Sequence, residues 1–549
     1  MKKFFTLIII ILFFITFNVS AAEYNVSSES ELVNALVTQD ELHTINLNND
    51  INLSNSISIT GNVLINGNGH VLSYSDSYSG KLFDVSGSLE LSNIKLNGNN
   101  KWSWINDSDK FDPNVVGDET TLNIGDKVIN NDCFVVTGNL KITNSSIYDT
   151  YVDGYDTYSY IKANGDNSNV VIESTTIDNL FGNFIFMTSG YVEINNSNIT
   201  NSYGLGNKGS LFKINYGELV INNSVFKDNC GFARSGSLIG AVNNSLVTFN
   251  SGLIDGNVAK YYSSSSTGSM ITLETGSGFI MNGGTISNNI GTLAGVISSR
   301  WTNTPDDRGI YLNAGEIKNN STYKDAWLGS TIFIRSSLYI GKDMVIDGDI
   351  VVNNTDASLE NNGTVNGKVT LNDASSTAVN NGFIKDLDFL NGKFTNNGII
   401  SNAFELDTEI DNNGDITDNY IKELSDVEGK VIVKFDVNEG KEKDNGYTYT
   451  SKLYDLNYEF SKEDLLEVEK NGYTFEGWFL DEEFTNEFDT NIILTDNITI
   501  YAKWEKIPEI AVPDTSLSVN KIILFVGISL IIFGVIVMYV VINKDKVYE

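Results

Sequence analysis

Apolar and polar positions follow one repeated six-residue phrase between about residues 91 and 320. Its template is apolar, polar, small or Asn, two variable residues and apolar, and an Asp or Asn usually follows. From Ile142 onward the copies start 22 to 32 residues apart, which is the spacing of a stacked repeat array. The copies begin at Leu91, Ile142, Ile172, Ile194, Ile221, Phe249, Met281 and Leu312.

The residues around each copy alternate between apolar and polar, which predicts short β-strands. No amphipathic helix of useful length separates the copies, so a parallel sheet built from them must coil. The pattern therefore predicts a β-solenoid whose apolar positions fill the lumen. Asn and Gly are expected at the corners, where left-handed backbone is needed. Asn at one corner of successive coils should stack into a hydrogen-bonded amide ladder.

Both ends of the predicted solenoid differ from its middle. Residues 27–36 carry a Ser N-cap and early Glu residues before an apolar face, which predicts a short helix covering the first coil. From about Leu359 the triplet Asn-Asn-Gly returns at 361, 380, 396 and 412, which indicates shorter coils. Some 15 coils stacked at about 4.8 Å would form a rod roughly 70 Å long.

The first predicted strands are 45–47, 51–53, 57–59 and 63–65, and the last runs into Asn66-Gly67-Asn68-Gly69. An aliphatic strand entering such a Gly-x-Gly corner resembles the N-terminal coils of the pectate-lyase-like right-handed β-helix superfamily. The resemblance covers roughly residues 23–421. It implies a mainly β fold with a right-handed parallel β-helix, and it raises the question of an active site.

A different pattern occupies residues 429–506. It contains Gly472-Tyr473-Thr474-Phe475-Glu476-Gly477-Trp478-Phe479 and closes with Tyr501-Ala502-Lys503-Trp504. These motifs resemble the Listeria–Bacteroides repeat, the internalin-type B repeat, which implies a β-grasp-like fold. We expect an aromatic core formed by Phe475, Trp478, Phe484, Tyr501 and Trp504. The resemblance implies a spacer or adhesion module of bacterial surface proteins and supplies no catalytic residue.

The two chain ends predict export and membrane attachment. Lys2 and Lys3, an apolar stretch and a small-residue site ending at Ala22 are typical of a signal peptide. An uncharged apolar run from Ile522 to Ile542 is long enough to span a bilayer. Lysines follow this run, so the positive-inside rule places the short tail in the cytoplasm and the bulk of the chain outside.

A sorting-like motif precedes the predicted span. Val512, Pro513, Asp514, Thr515 and Ser516 resemble the Leu-Pro-x-Thr-Gly signal recognised by sortases. Val512 and Ser516 depart from that signal. A variant cell-wall sorting signal, with sortase and peptidoglycan as partners, and a plain juxtamembrane linker both remain open.

These observations predict seven segments. They are 1–22, signal peptide; 23–358, β-helix with its capping helix; 359–425, narrower Asn-Asn-Gly coils; 429–506, repeat domain; 507–520, linker with the sorting-like motif; 522–542, transmembrane helix; and 543–549, cytoplasmic tail.

Charge and cysteine usage narrow the range of partners. The formal charge of −34 excludes a general nucleic-acid binder and disfavours polyuronates unless Ca²⁺ bridges the charges. Asp149, Asp153 and Asp156 could bind Ca²⁺, or they could simply be solvated surface; otherwise no cofactor is expected. Cys133 and Cys230 lie in different coils, which predicts two buried thiols rather than a disulfide.

Few residues are candidates for a functional site. Trp102 and Trp104, in an insertion, and Trp301 could stack on sugar rings of a glycan; the alternative for the insertion is packing against the solenoid wall. Asp306 and Asp307 form the one acidic doublet beside an Arg, where an inverting pair of catalytic carboxylates is conceivable; the alternative is a solvent-facing doublet in a polar loop. Two hypotheses follow. One is a non-catalytic surface adhesin or stalk that binds a glycan or a protein, and the other is a polysaccharide-active lyase or hydrolase.

Overall fold

The computed structural model describes residues 22–507 except 40–41, 113, 116–119, 126, 154–156, 209–210, 236–237, 261–268, 301–307, 324–329, 355–356, 406–409, 422–428 and 443–450. Within these described residues, no helix is long and apolar enough to cross a membrane. The predicted span from Ile522 to Ile542, the motif from Val512 to Ser516 and nearly all of the predicted signal peptide lie outside them.

Parallel strands of successive coils stack into three faces, which together give the arrangement of a parallel β-helix. Face A comprises Ala22–Val26, His43–Leu47, Asn62–Asn66, Ser88–Ser92, Asn139–Thr143, Asn169–Glu173, Gly190–Asn195, Gly217–Asn222, Leu246–Phe249, Gly278–Met281, the first segments of Ile310–Lys318 and Ser337–Ile346, Ser358–Asn361, Thr377–Asn380, Lys393–Asn396 and Asp411–Asn412. This stack confirms the coil predicted from the repeated phrase.

Face B follows face A in every coil after the first. It comprises Ile51–Leu53, Val71–Tyr74, Lys95–Asn97, Ser146–Tyr151, Thr176–Phe181, Asn198–Thr200, Ser224–Lys227, Gly252–Asp255, Thr285–Ser287, the second segments of Ile310–Lys318 and Ser337–Ile346, and the first segments of Thr364–Leu371, Phe383–Phe389, Ile399–Glu405 and Asp415–Ile421.

Face C closes each coil. It comprises Ile57–Ile59, Phe83–Val85, Phe134–Val136, Ser159–Ala163, Asn183–Met187, Phe212–Asn215, Ile239–Val242, Ile271–Glu274, Ala294–Arg300, Ser330–Ile334, Ile350–Val352 and the second segments of the last four strands of face B. In the middle coils a fourth, narrower side wall stands between faces B and C. It comprises the ends of Ser146–Tyr151 and Thr176–Phe181, then Tyr203–Lys208, Cys230–Ser235, Val258–Lys260, Ile290–Gly291 and Ser321–Thr322.

One hydrophobic core fills the lumen from Val26 to Ile410. Both apolar ends of the repeated phrase are buried in it, as in Ile172 and Ile177, because the strand alternation directs every second side chain inward. A chain of aromatic rings also runs through neighbouring coils, with centroids 5.3 to 6.2 Å apart. Its members are Phe83, Phe134, Tyr160, Phe184, Phe212 and Phe226.

Asparagine ladders run along the corners, as predicted. Asn229, Asn257, Asn289 and Asn320 form the buried ladder, in which each amide donates to the next side-chain oxygen at 2.8 to 3.0 Å. An exposed ladder on face A joins Asn195, Asn222, Asn250, Asn282 and Asn313 at 2.7 to 2.8 Å. The shorter coils stack Asn361, Asn380, Asn396 and Asn412 in the same way. Each coil is thus fastened to the next by side chains as well as by its strands.

A helix caps the first coil. It spans Glu29–Ala35, and Ser28 is its N-cap, whose hydroxyl accepts a hydrogen bond from the Glu31 amide. Leu32 and Ala35 point into the solenoid core. The helix therefore covers the apolar end of the coil, as the sequence predicted.

The C-terminal domain contains a four-stranded sheet in the order Ser451–Asp455, Lys430–Asp436, Ile498–Lys506 and Tyr473–Phe479. The two middle strands are parallel and the outer pairs are antiparallel. Shorter pairs join Lys441–Glu442 to Val468–Glu469 and Glu459–Phe460 to Ile492–Ile493, and a 3-10 turn spans Lys462–Asp464.

Trp478 stands in the core of this domain, with Phe435, Phe460 and Phe488 buried around it. Phe475 and Trp504 pack against that core while partly exposed. Phe484, which was expected in the core, instead contacts the ring of Phe479, at 5.8 Å between centroids. The expected aromatic core was therefore only partly correct. Tyr501 points away from the core because it alternates with the buried Ile500 and Ala502, and Phe484 lies in a turn with a φ of 57°.

Candidate functional site

An insertion lies against the side wall and forms the most distinctive surface feature of the solenoid. We call it the strap and define it as residues 101–112 and 120–124. It contains the antiparallel pair Ser103–Trp104 and Leu122–Asn123 and a 3-10 turn over Asp107–Lys110. A second hydrophobic cluster, separate from the solenoid core, lies between strap and wall. The strap is therefore attached to the rod by burial of apolar surface.

Trp102 and Trp104, the predicted stacking residues, are only 2% and 7% exposed. Trp102 meets Phe181 and Tyr203 edge to face at 5.5 and 6.4 Å, and Trp104 meets Tyr203 at 5.6 Å. Both rings pack against the side wall, which is the arrangement that the alternative interpretation of the insertion described. Their edges remain part of a groove, so the two residues still take part in a surface site.

Hydrogen bonds connect the strap to several coils of the wall. Trp102 Nε1 donates to the Asn179 carbonyl oxygen at 2.9 Å, and Lys110 Nζ donates to Asn201 Oδ1 at 2.8 Å. Lys260 Nζ donates to the carbonyl oxygens of Asp109 and Asp112 at 2.5 and 2.7 Å. These partners come from distant parts of the chain, so they fix the strap across adjacent coils.

Lys260 is the most unusual of these groups because its amine is buried. The residue is 1% exposed, and its ammonium lies 4.6 Å from the centroid of the Trp104 ring. Burial lowers the pKa of Lys260 to about 8, against the opposing attraction of nearby Asp109 and Asp112. Burial also raises the pKa of the neighbouring Cys230 thiol to about 11. The region under the strap is thus poorly solvated.

A dependence of stability on pH follows from Lys260. Its pKa is lower in the folded protein than in the unfolded chain, so the unfolded chain binds the proton more tightly. Lys260 therefore destabilises the folded state below about pH 8, and the folded state gains stability as the pH rises toward 10.5. We expect the free energy of unfolding, relative to Lys260→Met, to rise by about 2 kcal/mol between pH 7.5 and 10. Urea unfolding of both proteins at each pH measures it.

The matched control for this experiment is Lys393→Met, at an exposed lysine of face A. The difference between wild type and this variant should stay nearly constant over the same pH range. The assignment of the effect to the buried amine would be contradicted if the difference in unfolding free energy rose equally with pH for both lysine variants. It would also be contradicted if the difference for Lys260→Met did not change with pH.

The strap and the wall enclose an open groove of about 510 Å³. The strap contributes Lys101, Ser103, Asp107 and Lys110, and the two tryptophans lie beneath. The opposite side is formed by residues at the corner where the chain passes from face B to the side wall. These are Tyr148, Asp149, Asp178, Asn179 and Asn201. The groove therefore combines amides and charged groups of both signs with a larger apolar surface, to which the two tryptophans belong.

Part of the polar side of the groove, namely Asp149, Asn179 and Asn201, belongs to a corner column. We use this name for Asn99, Asp149, Asn179, Asn201 and Asp228, which occupy the same corner in successive coils with φ between 49° and 57°. Left-handed backbone at a non-Gly position favours Asn and Asp, which explains these residue types. Asp149 Oδ1 accepts from Asn179 Nδ2 at 2.8 Å, and the adjacent Asp178 Oδ1 accepts from Asn201 Nδ2 at 2.8 Å. The coil geometry thus orients two carboxylates toward one groove.

Most of the remaining predicted site residues fall in segments that the structure does not describe. Trp301, Asp306 and Asp307 lie outside the described residues, as does Asp156 of the suggested Ca²⁺ set. In the part of the chain that the structure describes, no group of three or more His, Cys, Asp or Glu side chains could hold a metal ion. Cys133 and Cys230 are both buried free thiols, as predicted.

Sequence reasoning singled out only Asp149 on the polar side of the groove, as a Ca²⁺ candidate, and missed its other residues and Lys260. A signal for the first was present, because an Asp or Asn follows nearly every repeated phrase, as in Ile147-Tyr148-Asp149 and Ile177-Asp178-Asn179. No signal marked Lys260, because its partners Asp109 and Asp112 lie about 150 residues earlier in the chain.

The fold and groove define a parallel β-helix with a lateral polar site, followed by a small mixed-sheet domain. Residues 432–503 of that domain match the Listeria-Bacteroides repeat domain family. A putative membrane protein of Evansella cellulosilytica is 41% identical over 58 residues, which are 10% of this chain and 9% of that protein. The chain therefore spans less than a tenth of the length of this relative. The repeat suggests a surface protein, which agrees with the sequence-based interpretation at that coarser level.

Proposed function

We propose that this chain is a rod displayed on a bacterial cell surface, where it acts as a non-catalytic adhesin or stalk. The observation that carries the proposal is one continuous core from Val26 to Ile410 in a ladder-stacked coil, joined to a domain of the Listeria-Bacteroides repeat family. Coils stacked at about 4.8 Å give a projecting body roughly 70 Å long. Such a body holds a lateral binding surface away from the membrane.

The proposal includes export and anchoring. The signal peptide of residues 1–22 directs secretion, and the segment from Ile522 to Ile542 holds the mature chain in the membrane. A sortase cleaving after Thr515 would transfer it to peptidoglycan instead. The pectate-lyase-like relationship and the right-handed coil belong to the same proposal, since they rest on the sequence resemblance.

One observation favours a second candidate, a polysaccharide-active lyase or hydrolase. Asp149 and Asp178 both line the groove, and acid–base cleavage of glycosidic bonds uses two carboxylates. Against this, each carboxylate is already engaged as a hydrogen-bond acceptor by neighbouring amides. Binding without cleavage remains the better-supported function.

A combined assay separates the two candidates. Intact cells of the native host treated with protease should lose the solenoid epitope, because the proposal places the rod outside the cell. The purified ectodomain, residues 23–507, should release no reducing sugar from plant or bacterial cell-wall polysaccharides. New reducing ends that disappear in Asp307→Asn or Asp178→Asn would contradict the non-catalytic assignment. Protection of the epitope until cells are lysed would contradict surface display.

A further inference from the structure

We infer that the strap groove is a binding site for a neutral, hydroxyl-rich oligosaccharide lying along the rod axis. The inference rests on the proposed surface function and assigns that function a location and a ligand class. The faces of Trp102 and Trp104 are packed against the wall and are not open for sugar stacking. The inferred sugar contacts are instead made by the corner column and by the polar strap residues that line the groove.

The shape of the groove suits a short glycan chain. Its wall side contains Asp149, Asn179 and Asn201 from three successive coils. Successive coils are spaced at about 4.8 Å, so these three positions extend over roughly 10 Å. That length is comparable to a disaccharide, and the volume of about 510 Å³ accommodates it with its surrounding water.

The carboxylates of the groove are already oriented for hydroxyl donors. Asp149 Oδ1 accepts from Asn179, and Asp178 Oδ1 accepts from Thr200 Oγ1 at 2.7 Å as well as from Asn201. Within the described residues these bonds all use Oδ1, which leaves Oδ2 of each carboxylate to accept from a sugar hydroxyl. Hydrogen bonds from O–H to a carboxylate are charge-assisted and short. Side chains held in place in this way lose little conformational entropy when a ligand binds.

A second, independent observation points to a ligand. Trp104 lines the groove, is 93% buried, and its Nε1–H has no hydrogen-bond partner among the described residues. Buried polar groups in folded proteins are nearly always paired, so an unpaired donor calls for a partner from outside the chain. The nitrogen has almost no solvent-accessible surface, so a ligand hydroxyl or a bound water reaches it only with a small movement of the strap.

The charges of the groove select among glycans. Asp107, Asp149 and Asp178 supply three carboxylates against the ammonium groups of Lys101 and Lys110. Lys110 is already bonded to Asn201. A chain with a formal charge of −34 adds long-range repulsion toward anions. Neutral hexose or N-acetylhexosamine chains are therefore favoured over polyuronates.

The test uses the ectodomain, residues 23–507, and immobilised cellohexaose, chitohexaose, mannohexaose, xylohexaose and hexagalacturonate. Ser103→Arg fills the groove from an exposed strap position, so it should preserve the fold. Asp178→Asn removes the carboxylate acceptor with little change in shape. We expect wild type to bind at least one neutral hexamer, and each variant to weaken that binding at least tenfold.

The chain supplies a matched control in Asp255→Asn. Asp255 occupies the same register position on face B as Asp178, three coils later. Its Oδ1 accepts hydrogen bonds from Ser287 Oγ and Asn288 Nδ2 at 2.7 Å each. Its hydrogen bonds match those of Asp178, but it does not line the groove. The control should bind as wild type does, and circular dichroism should show all four proteins equally folded.

Three results would overturn the site. The first is neutral-glycan binding that survives both Ser103→Arg and Asp178→Asn, which would leave the surface adhesin intact but place its site elsewhere. The second is equal loss of binding in Asp178→Asn and Asp255→Asn. The third is failure of wild type to bind any neutral hexamer, or preference for hexagalacturonate. Surface display is tested separately by protease treatment of cells, so its failure is distinguishable from each of these.

Discussion

Asn257→Ala should destabilise the middle coils by about 3–5 kcal/mol, because it removes the centre of the buried ladder. Asn257 Nδ2 donates to the Phe226 carbonyl and to Asn289 Oδ1 at 3.0 and 2.8 Å. Its Oδ1 accepts from both the backbone and side-chain nitrogens of Asn229 at 3.0 Å. Ala leaves these groups buried and unpaired, and each unpaired group costs about 1–3 kcal/mol.

Asn282→Ala is the matched control, since Asn282 occupies the exposed ladder with two amide–amide bonds of 2.7 and 2.8 Å. Water can replace both partners there, so we expect a loss of about 1 kcal/mol or less. Amide hydrogen exchange in Cys230–Ser235 and Val258–Lys260, together with urea unfolding, measures both effects. An equal loss of stability in the two variants would show that burial of the ladder does not determine how much the ladder contributes to stability.

Phe212→Ala should cost about 3–5 kcal/mol through loss of buried area and formation of a cavity. Phe212 is fully buried in the lumen, with the rings of Phe184 and Phe226 at 5.7 and 5.5 Å. Removing the ring interrupts the aromatic chain between two coils. Because each coil packs only on its neighbours, the loss of stability should appear as faster amide hydrogen exchange in the adjacent coils before the whole chain unfolds.

Phe186→Ala provides the comparison on the same face, one coil earlier. Phe186 points outward and is half-buried beneath Lys162 and Lys213, at 5.6 and 4.6 Å from its ring centroid. We expect it to cost about 1 kcal/mol, the scale of an exposed cation–π pair. Thermal unfolding of the ectodomain compares the two. A larger loss for Phe186→Ala than for Phe212→Ala would contradict the placement of the core.

The repeated phrase was sufficient to predict the coil because its information is local. Residues such as Ile194 and Ile199 are buried by alternation and by the corner between them, and both features lie within six residues. The capping helix after Ser28 and the stacked amides of Asn380 and Asn396 were predictable for the same reason. Periodicity fixed which side chains turn inward and which corners align.

The groove could not be predicted in the same way, because it depends on where the strap meets the wall. Neither the contact of Lys260 with Asp109 nor that of Lys110 with Asn201 follows a period. Trp102 and Trp104 were recognised as unusual, but alternation alone does not decide whether a ring faces water or a neighbouring wall. In the repeat domain, Phe484 was expected inside for its residue type, while Phe435 and Phe460 were not singled out.

The last described coils have a consequence for how such a chain varies. Asn380, Asn396 and Asn412 are 16 residues apart and carry the same bonds to their neighbours. Gain or loss of one 16-residue unit would therefore leave every remaining junction chemically equivalent. The length of the solenoid could change in steps of about 4.8 Å. Length can thus evolve by duplication of a single unit, independently of the groove and of the domain that follows.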